Sequence, residues 1–261
     1  MQKLDHNETV RQAFTRQAVA YAAAPSIADP SRVGRLVRAV NAAPEARVIE
    51  IAMGPGHVAL GFALACREVV GIDLTEAPLA IAEQARRERG LTNVRFQLGD
   101  ATQLPFLDGE FDVVVCRFAF HHFDRPERVL AEMKRVCRPL GSIAIEDLIV
   151  SEHPQRAAYQ NRFENLRDDS HTRAFTLTAL VAMVAAGAVE IEHVSTDELV
   201  PELENWLQRA QTPPDRAAEA RRLIERDEAE DLSGTRPFRQ EGKRYFHQRT
   251  AIVVGRKLSA A

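Results

Sequence analysis

Hydrophobic and polar positions in the first 150 residues follow two alternating periods. Short, mostly apolar runs at Val48–Ala52, Val69–Ile72, Val94–Leu98, Phe111–Cys116 and Ser142–Ile145 predict strands. The segments between them carry helical spacing: His57–Cys66, Ala77–Arg89 stopped by Gly90, and Pro126–Cys137 ended by Arg138-Pro139. Two helices are predicted ahead of this rhythm. One runs from an Asn7 cap to about Tyr21, with Val10, Phe14, Ala18 and Tyr21 on one face and Pro25 ending it. The other runs Ser31–Val40 with Ser31 as cap. Apolar strands separated by helices imply a parallel sheet covered on both faces, and right-handed crossovers make it doubly wound.

After Glu146 the rhythm breaks. Residues 151–175 form a polar, helical segment rich in Arg, Asp and His. Leu177–Ala186 predicts a helix stopped at Gly187, and Val189–Val194 a strand. Residues 197–249 are a second long insertion, helical through Trp206 and again through Leu223–Ile224. Within it, Asp215–Asp231 is a charge-rich helix whose apolar stripe is Ala217, Ala220, Leu223 and Ile224, the pattern of an amphipathic lid packed down by Trp206, Leu203 and Leu207. Thr250–Gly255 predicts a closing strand. The expected architecture is one α/β domain over 1–261, with a doubly wound, mostly parallel seven-stranded sheet. It divides into a helical cap over 1–45, a cofactor-binding core over 46–150, substrate-covering insertions over 151–176 and 197–249, and a last strand over 250–258. Late insertions of this kind cover the carboxyl edge of the sheet, where ligands bind.

Composition narrows the class. Of 261 residues, 45% are hydrophobic and 27% charged, which is ordinary for a globular chain. A net charge of −3 argues against a nucleic-acid partner. Met1–Asn7 has no apolar core of a signal peptide, and the longest nearly apolar stretch, Leu177–Val189, is too short to span a bilayer. Cys66, Cys116 and Cys137 are scattered, so neither a zinc site nor a disulfide framework is expected, no metal is implied, and a cytoplasmic setting is the default.

The stretch Arg47-Val48-Ile49-Glu50-Ile51-Ala52-Met53-Gly54-Pro55-Gly56-His57 reads as strand, tight glycine turn and helix start. Gly54-Pro55-Gly56-His57-Val58-Ala59 satisfies the dinucleotide pattern G-x-G-x-x-A, and Asp73 follows 19 residues after Gly54. Charge argues against a pyrophosphate. Glu50 would repel it, and Pro55 removes an N–H from the cradle. The same Glu50 suits an ammonium. S-adenosylmethionine carries an ammonium, a sulfonium and a ribose diol, and Asp73 offers two acceptor oxygens for the diol. Asp100, in Gly99-Asp100-Ala101 after the third strand, suits the adenine amino group, with Ala101, Leu104 and Phe118 as an apolar slot.

On these residues the chain resembles the class I S-adenosylmethionine-dependent methyltransferases, most of all the ubiquinone/menaquinone-biosynthesis C-methyltransferase-like group. The matching run is Val48–Ala52, Gly54, Gly56, Gly71-Ile72-Asp73 and Gly99-Asp100-Ala101. It continues through Leu104-Pro105-Phe106, Asp108-Gly109, Phe111-Asp112, His121-His122-Phe123, Glu132-Met133, Arg135-Val136 and Arg138-Pro139. The resemblance implies S-adenosyl-L-methionine as cofactor, held by Glu50, Ala52, Gly54, Gly56, His57, Asp73, Leu74, Gly99, Asp100, Ala101, Arg117 and Phe118. It departs from the pattern at Ala52, where many methyltransferases have the first glycine, and at Leu140, which breaks the usual Pro-Gly-Gly turn.

Methyl transfer from a sulfonium is an in-line displacement in which the protein mainly aligns the nucleophile and excludes water. Candidates for a general base are His121, His122 and Asp147, all just past strand ends. Candidates for acceptor contacts are Tyr21, His122, Arg162, Arg167, His171 and Arg173. Three of these are arginines suited to an anion. The expected activity is methylation of a carbon or oxygen of a phenolic, quinol-like or other small metabolite by a monomer or homodimer, without nucleic acid or stable membrane insertion. The alternatives are cyclisation, decarboxylation or rearrangement on the same pocket, a nicotinamide oxidoreductase, and a nonenzymatic binding protein.

Overall fold

The computed structural model describes residues 5–259. Its centre is a sheet of eight strands. Five parallel strands come first: β1 (Arg47–Ile51), β2 (Glu68–Asp73), β3 (Val94–Leu98), β4 (Phe111–Arg117) and β5 (Cys137–Val150). β6 is a two-residue strand, Phe175–Thr176, beside the end of β5. β7 (Val189–Leu199) and β10 (Gln248–Lys257) complete the order β3-β2-β1-β4-β5-β10-β7, with β10 antiparallel to both neighbours. Seven strands thus lie along the main path, as the periodicity predicts, and β6 is an addition. β5, β7 and β10 run longer than the apolar runs suggest. The added residues of β7 and β10 are mostly polar and pair in the ladder, which hydropathy does not report, while β5 continues through Leu148-Ile149-Val150 to pair with β10 and β6.

Helices cover both faces. On one side α3 (Pro30–Val40) and α4 (His57–Ala63) bury Leu36, Leu60 and Phe62 against Val48, Val69, Val113 and Val115. On the other, α6 (Pro126–Val136) and α8 (Leu177–Ala185) bury Met133, Leu130, Leu180 and Val184 against Ile49, Val70, Val114 and Ile143. α5 (Glu76–Glu88) lies between β2 and β3 in the chain, and α1 (His6–Ala22) packs on it. The short α2 (Pro25–Ala28) leads into α3.

The late insertions have a core of their own. α7 (Pro154–Arg167), α9 (Leu203–Arg209) and α10 (Pro214–Glu230) enclose Phe163, Trp206, Leu207, Ala220, Ile224 and Phe246. The rings of Phe163, Trp206 and Phe246 meet edge to face at 5.0–6.1 Å. A hairpin of β8 (Phe238–Gln240) and β9 (Lys243–Tyr245) closes this unit, in a stretch where the sequence predicts no strands.

Both expected helix caps are corrected. Asp29, not Ser31, caps α3, accepting from Ser31 N at 2.8 Å. Asn7 lies inside α1, whose N-cap is Asp5, and its side chain reaches away from the helix.

Candidate active site

The carboxyl ends of β1, β2, β3 and β4 finish at one edge, and the loops after them, beginning Ala52, Leu74, Gly99 and Phe118, floor a cleft of about 960 Å³. α1 roofs it with Asn7, Val10, Phe14 and Tyr21. Asp73 Oδ2 accepts from Gly54 N at 2.8 Å and Oδ1 from Thr75 N at 2.9 Å. Gly56 N donates to Met53 O at 3.0 Å, and Pro55 has no N–H. The glycine turn therefore spends its donors inside the protein. It is no cradle for a diphosphate.

Glu50 is 2% exposed yet lines the cleft. Its Oε2 accepts from Ala59 N at 2.7 Å, and no cation lies within 4.0 Å of it among the described residues. Burial pushes its carboxyl up to about 8, against the Ala59 hydrogen bond and the more distant Arg117. Burial likewise raises Asp73, opposed by the bonds from Gly54 and Thr75. A buried carboxylate without a counter-ion fits a cationic ligand group. Asp100 is held by Thr102 N at 2.7 Å, Thr102 Oγ1 at 2.8 Å and Asn7 Nδ2 at 3.2 Å, the last spanning the cleft from α1.

Of the residues expected to hold a cofactor, Glu50, Ala52, Gly54, His57, Asp73, Leu74, Gly99, Asp100, Ala101, Arg117 and Phe118 all line this cleft. Gly56 does not. It takes φ +74° at the N-cap of α4, and a Cβ there would come within 3.0 Å of Ala82 Cβ, so its role is to let the turn pack. Leu104 is buried in the sheet core, and Phe123 and Ile72 line the cleft beside Ala101 and Phe118 instead. Arg117 Nε donates to Glu146 at 2.8 Å, and its other nitrogens to Ile27 O at 2.9 Å and Ser26 O at 3.2 Å, so its donors tie α2 to the sheet. His57 donates to Ala22 O at 2.9 Å, joining α4 to the end of α1 rather than capping its own helix.

Behind the cleft lies a second chamber of about 670 Å³. The two cavities share Phe14, Tyr21, Ile27, Phe118 and His122. His122 stands at their joint. Its Nδ1 meets Ser170 Oγ at 3.0 Å, and Ser170 donates to Asp168 Oδ1 at 2.6 Å. Because the Ser170 proton goes to the carboxylate, His122 Nδ1 carries the proton donated to Ser170, and Nε2 keeps its lone pair. Burial, then the neighbouring His121, pull His122 down to about 3, so its ring is neutral at physiological pH.

His121 lines the chamber alone and pairs through Nδ1 with Asp147, whose Oδ2 also accepts from His121 N at 3.0 Å. Burial opposes its charge, but Asp147 outweighs this and raises it. Asp147 itself lines neither cavity; it touches the site only through His121.

Three of the expected acceptor contacts lie elsewhere. Arg162 pairs with Glu219 at 2.9 Å on the surface, and the exposed Arg173 lies over the Phe175 ring at 4.8 Å. His171 lines neither cavity and bonds to Asn161 Oδ1 at 2.9 Å, with its ring 5.5 Å from that of His121. Tyr21, His122 and Arg167 do line the chamber. Asp168, Ser170, Arg209 and the face of Trp206 are site features the sequence did not single out. Ser170 and His122 are 48 positions apart, and no local spacing signals such a pair.

Residues 49–145 match the methyltransferase domain family. The chain is 32% identical over 203 residues to YcgJ, an uncharacterized methyltransferase of Bacillus subtilis, which spans 78% of this chain and 80% of that one. The crystal structure of YcgJ superposes with a TM-score of 0.82 at 29% identity, over 88% of this chain and 99% of that one. A demethylmenaquinone methyltransferase of Thermus thermophilus is 40% identical over 109 residues, 41% of this chain and 49% of its own. The [4+2]-cyclase SpnF shares the fold alone, with a TM-score of 0.63 at 19% identity over 88% of this chain and 81% of that one.

Proposed function

This chain belongs to the class I S-adenosylmethionine-dependent methyltransferases, and from that premise we propose that it methylates a small-molecule acceptor lodged in the chamber behind His122. Glu50 takes the ammonium, Asp73 the ribose hydroxyls and Asp100 the adenine amino group, with Ala101, Phe118 and Phe123 around the base. The observation that carries this reading is the buried, unpaired Glu50 beside a glycine turn whose N–H groups are already consumed. That pairing favours an ammonium and disfavours the diphosphate of a dinucleotide. When bound, S-adenosylmethionine supplies an activated methyl group.

The protein's part is alignment. His122 Nε2 accepts a hydrogen bond from the nucleophile, and Asp168, acting through Ser170, offsets positive charge that develops on the ring. His121, whose protonated form Asp147 favours, lines the chamber and in that form favours ionisation of a phenol or quinol-like acceptor. The helical cap from α1 to α3 and the insertions over 151–176 and 197–249 exclude water from the reaction.

Calorimetric titration with S-adenosylhomocysteine and, separately, with NAD tests the reading. Micromolar binding of the first and none of the second is expected, and Asp73→Ala weakens it by roughly a hundredfold or more through loss of charge-assisted bonds. Binding of NAD without S-adenosylhomocysteine overturns it.

A further inference from the structure

Two guanidinium groups in the chamber have no task in the reaction described. Arg167, at the end of α7, is fixed on one side: Nε donates to Trp206 O at 3.1 Å, and the group lies over the Trp206 ring at 5.1 Å. Arg209, at the end of α9, makes no side-chain hydrogen bond, and neither arginine has a carboxylate within 4.0 Å among the described residues. Several arginines of the same insertions are paired, among them Arg221 with Glu204 at 2.8 Å and Arg244 with Glu228 at 2.7 Å. Burial and the nearby Arg167 both disfavour the charge on Arg209. An anion between them reverses that cost.

The chamber's own carboxylates are engaged. Asp168 accepts from Ser170 N at 2.9 Å, Ser170 Oγ at 2.6 Å and Gln17 Nε2 at 3.0 Å. Glu164 accepts from Gln248 Nε2 at 2.6 Å, and burial favours its protonated form. With Asp168 engaged and burial disfavouring charge on Glu164, neither carboxylate pairs with Arg167 or Arg209. The apolar part of the wall is Phe14, Phe118, Leu148 and Trp206. Arg209 also borders a wider outer cleft that shares Ser26, Leu199 and Gln248 with the chamber, so it stands at the entrance.

We propose that the chamber binds a monocarboxylate with a flat apolar body, its carboxylate gripped by Arg167 and Arg209 at the mouth and its far end directed to His122. A planar carboxylate matches the guanidinium fork, and it brings one charge to be desolvated where a phosphate dianion brings two. That this ligand is the methyl acceptor rests on the function proposed above; the anion subsite does not.

The chain's one tryptophan, Trp206, lies in the chamber wall and reports on it. The full chain, with and without saturating S-adenosylhomocysteine, is titrated with acetate, benzoate, cinnamate and octanoate, each against its neutral amide, and with phenyl phosphate, reading tryptophan fluorescence. At least one carboxylate is expected to bind saturably, roughly 10- to 100-fold tighter than its amide and tighter than phenyl phosphate. Arg209→Gln abolishes that preference and leaves amide and S-adenosylhomocysteine binding unchanged. Overturning results are no saturable binding by any carboxylate, equal affinity for the amide, tighter binding of phenyl phosphate, or a preference intact in Arg209→Gln. Carboxylate binding without S-adenosylhomocysteine binding sinks the methyl-transfer reading alone; the converse sinks the subsite alone.

Discussion

At the scale of single residues, two positions border the cleft in a backbone conformation that side chains disfavour. Ala52 and Phe118 each have φ of 52°. The left-handed region costs a non-glycine residue about 1–2 kcal/mol. Ala52→Gly relieves this at Ala52, partly offset by the freer unfolded chain, and is expected to stabilise by about 0.5–1 kcal/mol, raising the melting temperature by roughly 1–4 °C. A thermal melt with no rise refutes strain at Ala52. Glu50 carries a second prediction. Its folded carboxyl titrates at about 8 against an ordinary 4.5. The neutral form therefore contributes stability that is complete below about 4.5 and lost as pH rises through about 8. Glu50→Gln, which keeps an acceptor for Ala59 N, is expected to gain on the wild type in melting temperature across that window while weakening the adenosyl ligand. A difference in melting temperature that stays flat with pH would show that Glu50 is ionised in the free protein. Glu50, Asp73 and Asp100 were legible as ligand candidates because each follows an apolar run. The strain at Ala52 showed only as a departure from the glycine common at that position.

At the scale of elements, α1 is a lightly buried part of the site. Only Ala13, Gln17 and Ala18 are fully buried along its 17 residues. Beside the edge-to-face contact of Phe14 with His122, what holds it is polar: His6 Nε2 donates to His122 O at 2.6 Å, Asn7 to Asp100 and Gln17 to Asp168. A helix fixed mainly by such bonds opens at low free-energy cost. Hydrogen exchange in His6–Ala22 is expected to be faster than in β1 and β4 in the free protein, and to slow when S-adenosylhomocysteine fills the cleft. Equal protection of α1 with and without ligand would remove it from the cofactor's cover. The helix itself was legible from Val10, Phe14, Ala18 and Tyr21. Its destination was not, because a hydrogen bond from Asn7 to Asp100 spans 93 positions.

At the scale of the whole molecule, the sheet core and the insertion core are separate apolar clusters. Glu50, Asp73 and Asp100 line the cleft at the sheet edge, while Phe163, Trp206 and Phe246 hold the insertions together. Phe163→Ala is expected to destabilise the insertion core by about 3–5 kcal/mol and to alter the near-ultraviolet signal of Trp206, yet to leave S-adenosylhomocysteine affinity within a few-fold. A parallel loss of affinity would show that the two cores act as one. No helix among the described residues is long and apolar enough to cross a membrane. The sequence by itself determined the parallel sheet, its edge and the three carboxylates there, because buried strands and the turns after them are local patterns of hydrophobicity and glycine. Only the tertiary structure decided that Asn7 faces Asp100, that Ser170 links His122 to Asp168, and that Arg167, not Arg162 or Arg173, shares a chamber with Arg209. Those meetings join segments tens of residues apart, up to the 93 positions between Asn7 and Asp100, and their partners are set by how α1 and the insertions pack over the sheet rather than by any spacing within them.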